Sequence, residues 1–129
     1  MPDEVLVDTS AWVAYFRGTE PARTAVLALL GEGRALRCVP VELELRQGLR
    51  QPEADRVLAL WSGLASLSVE EVDFTTAGDL LRDLRGRGVT LPSMDALIAS
   101  LARRHAVPLL TLDQRFAAVP GLRLFTPAA

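Results

Sequence analysis

The stretch VLVDTSAW (residues 5–12) passes from aliphatic residues directly to an acid, Asp8, and two hydroxyl residues, Thr9 and Ser10. The apolar run predicts a buried strand, and the residues that follow predict the start of a helix. Asp8 is therefore expected at a strand-to-helix turn, on the edge of an α/β sheet where ligands bind. A purely structural role is the alternative, because short oxygen-bearing side chains cap helices at such positions.

The rest of the chain alternates in the same way between short apolar strands and helical patterns. Strands are predicted near 4–8, 36–39, 67–69, 107–111 and 122–125, and helices over roughly 10–17, 22–31, 41–50, 53–65, 74–86 and 93–105. This alternation predicts an α/β fold, a three-layer α/β/α sandwich with a central parallel sheet of about five strands. We expect residues 1–129 to form one domain.

Composition narrows the function classes. The net charge of −2 argues against a strongly basic surface for binding nucleic acid. The chain has no lysine, which excludes any mechanism that needs a catalytic lysine. The single cysteine, Cys38, lies among apolar residues and is expected to be buried. The first residues lack the basic and apolar regions of a signal peptide, which predicts a cytoplasmic protein.

An acid interrupts the apolar side of the helix predicted over 41–50. Glu44 falls on the stripe formed by Val41, Leu45 and Leu49, where a carboxylate is costly unless a cation meets it. Gly48, one turn later, would permit a close backbone approach. Glu42 and Arg46 lie four residues apart on the other face and are interpreted as an ordinary ion pair.

Two further acids occupy positions that also admit structural explanations. Asp95 lies in the first turn of the helix that follows Pro92, where the helix dipole favours an acid. Asp113 follows the strand Val107–Leu110, and an Asx turn would account for it. Taken singly, each is more simply explained by local structure than by chemistry.

Taken together, Asp8, Glu44, Asp95 and Asp113 follow strands or begin helices, and a parallel α/β fold can gather them at one sheet edge. Clustered carboxylates repel one another unless divalent cations neutralise them. Hard oxygen ligands suit Mg²⁺ or Mn²⁺, and such ions assist hydrolysis of phosphodiesters. The four acids therefore predict a metal site.

These residues resemble the PIN-domain ribonucleases, and more closely the VapC toxins of bacterial type II toxin–antitoxin modules. The resemblance rests on VLVDTSAW, on ELRQG with Glu44, on MDALIASLA with Asp95 and on PLLTLDQRF with Asp113, in order along the chain from Val5 to Phe116.

The resemblance implies a Mg²⁺- or Mn²⁺-dependent endoribonuclease whose metal site is formed by Asp8, Glu44, Asp95 and Asp113. Thr9 or Ser10, together with Thr111, match polar positions that orient the first acid or the metal waters. It also implies a homodimer, inhibition by a small VapB-like antitoxin whose C-terminal segment lies along the toxin, and structured RNA targets such as tRNA or a ribosomal RNA loop.

One feature of some relatives is missing. Where those proteins carry a further acid or Asn just after the last Asp, this chain continues with Gln114, Arg115, Phe116 and Ala117, so occupancy of a second metal position is left open.

Outside the acids, the patterns favour structural roles. His105, at a helix end, is interpreted as a cap, and Trp12, Tyr15 and Phe16 as core or dimer residues. Exposed helical arginines are more often solvated than bound to phosphate. The positions that could meet RNA or antitoxin are Arg17, Arg46, Arg50, Arg82, Arg85 and Arg87.

Several other classes fit less well. A phospho-receiver domain needs a lysine, a haloacid-dehalogenase phosphatase needs an acid at Ser10, and a serine hydrolase needs a G-x-S-x-G elbow. Two alternatives stay open: a PIN-like module that binds RNA or protein without turnover, and a nuclease of this fold acting on DNA or in RNA processing outside a toxin–antitoxin module. A small antitoxin reading frame beside the gene would favour the toxin.

Overall fold

The computed structural model describes residues 3–127, in which a parallel sheet is flanked by helices. The elements in chain order are β1 (Val5–Val7), α1 (Thr9–Arg17), α2 (Ala22–Gly31), β2 (Ala35–Arg37), α3 (Val39–Gly48), α4 (Glu53–Trp61), β3 (Ala65–Ser66), α5 (Glu71–Gly86), α6 (Ser93–Arg104) and β4 (Leu109–Leu110). A 3₁₀ helix over Gln114–Ala118 follows β4. The predicted α/β class and sandwich architecture are confirmed.

The sheet has the strand order β3-β2-β1-β4, and every neighbouring pair is parallel. β1 lies inside the sheet, with Leu6 opposite both Leu36 and Leu109. Val5, Leu6 and Val7 are completely buried because helices cover both faces of the sheet. Asp8, immediately after β1, is therefore held at the carboxyl end of a central strand.

Four strands form rather than the five predicted, within the part of the chain that the structure describes. The predicted strand at 122–125 contributes one isolated bridge, in which Leu124 meets Leu109. β4 is only two residues long, and Pro127, which has no amide hydrogen, lies three residues after the bridging Leu124. A longer ladder is therefore not available to this segment.

Element boundaries differ from prediction where capping chemistry decides them. α3 begins at Val39 rather than at 41, because Pro40 fits the first turn of a helix. α5 begins at Glu71 rather than at 74, because Glu70 and Asp73 form a reciprocal capping box. β3 occupies 65–66 rather than 67–69, since its partner β2 already ends at Arg37.

The core residues predicted from the sequence lie where expected. Trp12 and Cys38 are fully buried, and Trp12 packs against Trp61 with ring centroids 5.8 Å apart. Burial raises the pKa of the Cys38 thiol to about 12. His105 takes the C-cap position of α6, and its Nε2 atom lies 2.9 Å from the carbonyl oxygen of Ser68. None of the helices within residues 3–127 has both the length and the apolarity to cross a bilayer.

Candidate metal centre

Three acids, from the starts of α1 and α6 and from the middle of α3, meet at the carboxyl edge of the sheet. Asp8 precedes α1, Glu44 lies on α3, and Asp95 lies in the first turn of α6. One carboxylate oxygen from each residue lies within 4.8 Å of the others, a spacing at which one cation can contact all three. We refer to Asp8, Glu44 and Asp95 as the acidic triad.

Asp8 does not act as a side-chain helix cap. It occupies the N-cap position of α1, but its carboxylate makes no capping hydrogen bond. Its Oδ2 atom accepts hydrogen bonds from Thr111 at 2.7 Å and from Ser10 at 3.0 Å. Its Oδ1 atom is buried and has no partner among residues 3–127. A buried oxygen without a donor is costly, and an ion bound there would satisfy it.

The three hydroxyl residues predicted beside the acids make contacts with them or with one another. Ser10 and Thr111 lie 3.2 Å apart and both donate to Asp8, so the orientation of that carboxylate is fixed. Thr9 contacts a different acid from the one expected, because its hydroxyl donates to Glu44 Oε1 at 2.6 Å. Each hydroxyl thus restricts the position of one of the triad carboxylates.

The electrostatic effect of the clustered acids is seen in the pKa of Asp95. Burial raises the pKa of its carboxyl to about 6, and the neighbouring charges of Asp8, Glu44 and Asp113 add to the shift. The side chain of Asp95 is only 14% exposed. A carboxylate that resists ionisation at such a position is one whose charge a cation would compensate.

Asp113 lies beside the triad but is not part of it. Its Oδ1 atom accepts a hydrogen bond from the backbone amide of Arg115, which is the Asx turn considered from the sequence. The Arg115 guanidinium also donates to both carboxylate oxygens, and this contact lowers the pKa of Asp113. The same guanidinium approaches Asp95 Oδ2 at 3.8 Å.

Arg115 is not among the site residues predicted from the sequence. The available signal was its spacing, because an arginine two residues after an Asx-turn acid can fold back onto that acid.

Gly48 also differs from expectation. A Cβ atom at Gly48 would meet nothing within 4 Å, so this glycine is not required for a close backbone approach.

A groove of about 550 Å³ opens beside Glu44, between α1, α3 and α4. Its apolar lining comes from Val13, Phe16, Leu45, Leu49 and Val57. Its charged lining comes from three arginines, Arg17, Arg50 and Arg56, and two acids, Glu44 and Glu53. Two of these arginines were candidates from the sequence, and Arg56 was not. By contrast, Arg46 is bonded to Glu42 at 2.8 Å, as expected, and Arg82 to Asp79 at 3.1 Å.

The PIN domain family model matches residues 5–122, which include all four predicted acids. Ribonuclease VapC11 of Mycobacterium tuberculosis is 39% identical over 118 residues, covering 87% of this chain and 88% of that protein. The chain belongs to the PIN-domain family and, within it, to the VapC ribonucleases.

Solved structures of VapBC proteins share the fold of this PIN domain. A chain of VapBC2 from Rickettsia felis superposes with a TM-score of 0.76 at 21% identity, covering 94% of this chain and 96% of that one. A chain of VapBC from Salmonella typhimurium gives a TM-score of 0.74 at 20% identity, covering 96% and 98%. At these identities the likeness establishes the fold of the domain.

Proposed function

We propose that this PIN domain is a Mg²⁺- or Mn²⁺-dependent endoribonuclease toxin that cleaves structured RNA, such as tRNA or ribosomal RNA, and is inhibited by a VapB-like antitoxin. The observation that carries the proposal is the acidic triad with its unpartnered, buried Asp8 oxygen. The relative VapC11, named a ribonuclease, supports the activity.

The donor set fits a hard divalent cation. All three triad ligands are carboxylates, and no described cysteine or histidine lies in the cluster. Asp8, Glu44 and Asp95 would hold the ion, and Asp113 would complete the acidic surroundings from the rim. When bound, such an ion activates a water and offsets negative charge on the phosphate during phosphodiester hydrolysis.

Hydrogen bonds within the protein orient two of the triad carboxylates in the absence of any ligand. Ser10 and Thr111 fix the Asp8 carboxylate, and Thr9 fixes that of Glu44. Hydrogen-bonded carboxylates lose little side-chain entropy on binding a cation, and they hold it at one position relative to the substrate. The bond that breaks joins phosphorus to a ribose oxygen, and the attacking water supplies the new oxygen and the proton for the leaving group.

The groove beside Glu44 supports the antitoxin proposal. Its mixture of apolar side chains with Arg17, Arg50 and Arg56 suits an amphipathic peptide that carries acids. A C-terminal segment of the antitoxin lying there would end beside the triad and exclude RNA from it. Charge reversal in Arg50→Glu should weaken antitoxin binding about tenfold or more, whereas Arg23→Glu on α2, outside the groove, should leave it unchanged.

The test of the proposed function is cleavage of total bacterial RNA by purified, antitoxin-free protein. Reactions contain Mg²⁺, Mn²⁺ or EDTA, and Asp95→Asn is compared with Asp79→Asn, an exposed acid on α5. We expect discrete fragments that require the metal, disappear with Asp95→Asn and persist with Asp79→Asn.

Other outcomes identify other functions. Metal binding without cleavage of any RNA would favour a PIN-like module that binds RNA or protein without turnover. Cleavage without inhibition by a protein encoded beside the gene would favour an RNA-processing nuclease outside a toxin–antitoxin module. Cleavage by folded Asp95→Asn at the wild-type rate would contradict the proposed metal site.

A further inference from the structure

Arg115 lies at the rim of the acidic triad and is fastened to Asp113. Its Nε atom donates to both Asp113 oxygens at 3.1 Å, and its Nη2 atom donates to Oδ2 at 2.6 Å. Nη2 also lies 3.8 Å from Asp95 Oδ2. Within residues 3–127, no other basic side chain forms an ion pair with Asp8, Glu44, Asp95 or Asp113.

This arrangement leaves little capacity at Asp113 for direct metal binding. Both of its oxygens already accept hydrogen bonds from Arg115, including one from the backbone amide. The positions that follow Asp113 supply no further acid, since the chain continues with Gln114, Arg115, Phe116 and Ala117. A second ion next to the triad would therefore lack a free carboxylate and would meet the positive charge of Arg115.

We propose that Arg115 replaces a second metal ion: one divalent cation binds the triad, and the Arg115 guanidinium contacts a non-bridging oxygen of the RNA phosphate that is hydrolysed. The inference rests on the proposed ribonuclease function and adds a substrate-binding catalytic residue to it.

The geometry of Arg115 suits this role. Nε and Nη2 are engaged by Asp113, while Nη1 makes no hydrogen bond to any described residue. The side chain is 51% exposed, so the free edge of its guanidinium is accessible to a ligand. The next residue, Phe116, is completely buried and anchors the segment.

Positive charge beside the scissile phosphate favours phosphodiester hydrolysis. As the water oxygen bonds to phosphorus and the bond to the ribose oxygen breaks, negative charge grows on the phosphate oxygens. A guanidinium held by Asp113 can donate to these oxygens without gaining or losing a proton. Because Asp113 already orients it, little entropy is lost when it meets the phosphate.

The experiment compares wild type with Arg115→Ala, Arg115→Lys and the matched control Arg23→Ala, which removes an exposed arginine of α2 paired with Glu20. Mn²⁺ affinity and stoichiometry are measured by calorimetry and by electron paramagnetic resonance. Affinity for bulk bacterial tRNA is measured in Ca²⁺, and the single-turnover cleavage rate in Mg²⁺ on an oligonucleotide that spans a mapped site.

We expect one Mn²⁺ ion per wild-type chain. Arg115→Ala should bind Mn²⁺ as tightly as wild type or up to about tenfold more tightly, because a repelling charge has been removed. Its cleavage rate should fall by about 10²–10³, the usual effect of deleting one donor to a developing oxyanion. Its tRNA affinity should also fall, Arg115→Lys should be intermediate, and Arg23→Ala should match wild type.

Opposite results would overturn the inference. If Arg115 merely holds Asp113 as a metal ligand, Arg115→Ala will bind Mn²⁺ more weakly and excess Mn²⁺ will restore the rate. Two Mn²⁺ ions per chain, or an unchanged cleavage rate, would also exclude it. If wild type binds Mn²⁺ but cuts no RNA, the proposed function fails, and unchanged tRNA affinity of Arg115→Ala would then reject the phosphate contact separately.

Discussion

At the level of single residues, the acidic triad lowers the stability of the metal-free protein. Asp95 is nearly buried beside two other acids, and in metal-free protein its ionisation opposes folding. Asp8 keeps one buried oxygen without a donor. Such costs persist where a site must be ready for a ligand, and they predict how variants behave without metal.

Asp95→Asn should stabilise the protein in EDTA at pH 7.5 by up to about 3 kcal/mol. Because the folded-state pKa is about 6, above the usual value, ionised Asp95 costs stability at neutral pH. That cost shrinks as the pH falls through 6 and is absent below about 4, the pKa in unfolded chains. In urea denaturation, the increase in the free energy of unfolding of Asp95→Asn over wild type should be larger at pH 7.5 than at pH 5. A variant less stable than wild type at pH 7.5 would contradict this account.

Thr111→Val should weaken Mg²⁺ binding by about 10–100-fold, because it deletes the 2.7 Å hydrogen bond that orients Asp8. Calorimetric titration with Mg²⁺ measures the effect. Thr75→Val, at an exposed position on α5, is the matched control and should bind like wild type. Equal affinities of the two variants would show that Thr111 does not position the metal ligand.

At the scale of elements, the placement of α6 matters most, because its first turn carries Asp95. Its other end is fixed to α5: Arg104 donates to Asp73 Oδ1 at 2.6 Å and to Oδ2 at 2.9 Å. Asp73 also accepts from the backbone amide of Glu70, which completes the capping box at the start of α5. One buried carboxylate therefore both begins α5 and holds α6 against it.

Asp73→Asn should lower the free energy of unfolding at pH 7 by about 2–4 kcal/mol, because it removes the buried charge to which Arg104 is hydrogen-bonded and leaves Arg104 only the more distant Glu70 carboxylate at 3.6 Å. The hydrogen bonds from Arg104 hold the pKa of Asp73 below its usual range. The stabilisation is therefore complete above the unfolded-state pKa of about 4 and is lost as the pH falls through the lower folded-state value.

Urea denaturation at pH 7 and pH 3 tests this assignment, with Asp83→Asn, an exposed acid on the same helix, as control. The difference between wild type and Asp73→Asn should be smaller at pH 3. A difference that stays constant between the two pH values would assign the effect to packing rather than to charge.

At the scale of the whole molecule, α3 presents one face to the site and another to solvent. Glu44 faces the other two acids of the triad. Val39 and Leu43, one turn apart, are 51% and 54% exposed. Adjacent exposed apolar side chains are typical of surfaces that bind another protein chain. They support the homodimer that the family resemblance implies.

We predict that the purified protein is a dimer and that Leu43→Glu shifts it towards the monomer. Light scattering coupled to size-exclusion chromatography measures the mass of each species. Leu27→Glu, at a comparably exposed leucine on α2, is the control and should remain dimeric. A monomeric wild type at micromolar concentration would contradict the predicted homodimer.

The layered α/β class, the parallel sheet and the approximate extent of the helices could all be predicted from the amino-acid sequence. These features depend on local patterns of apolar residues, which a one-dimensional reading detects. The sequence also led to Asp8, Glu44, Asp95 and Asp113 as candidates, because Glu44 interrupts an apolar helix stripe and a parallel α/β fold can gather all four acids at one sheet edge.

How these residues contact one another is visible only in the folded protein. Asp8, Glu44 and Asp95 lie within 4.8 Å of one another. Thr9 donates a hydrogen bond to Glu44, and Asp113 forms an ion pair with Arg115. The fifth predicted strand is reduced to a single bridge. The physical reason is that hydrogen bonds and charge pairs between distant segments depend on distances of a few ångströms, which the packing of helices on the sheet sets and local sequence does not encode.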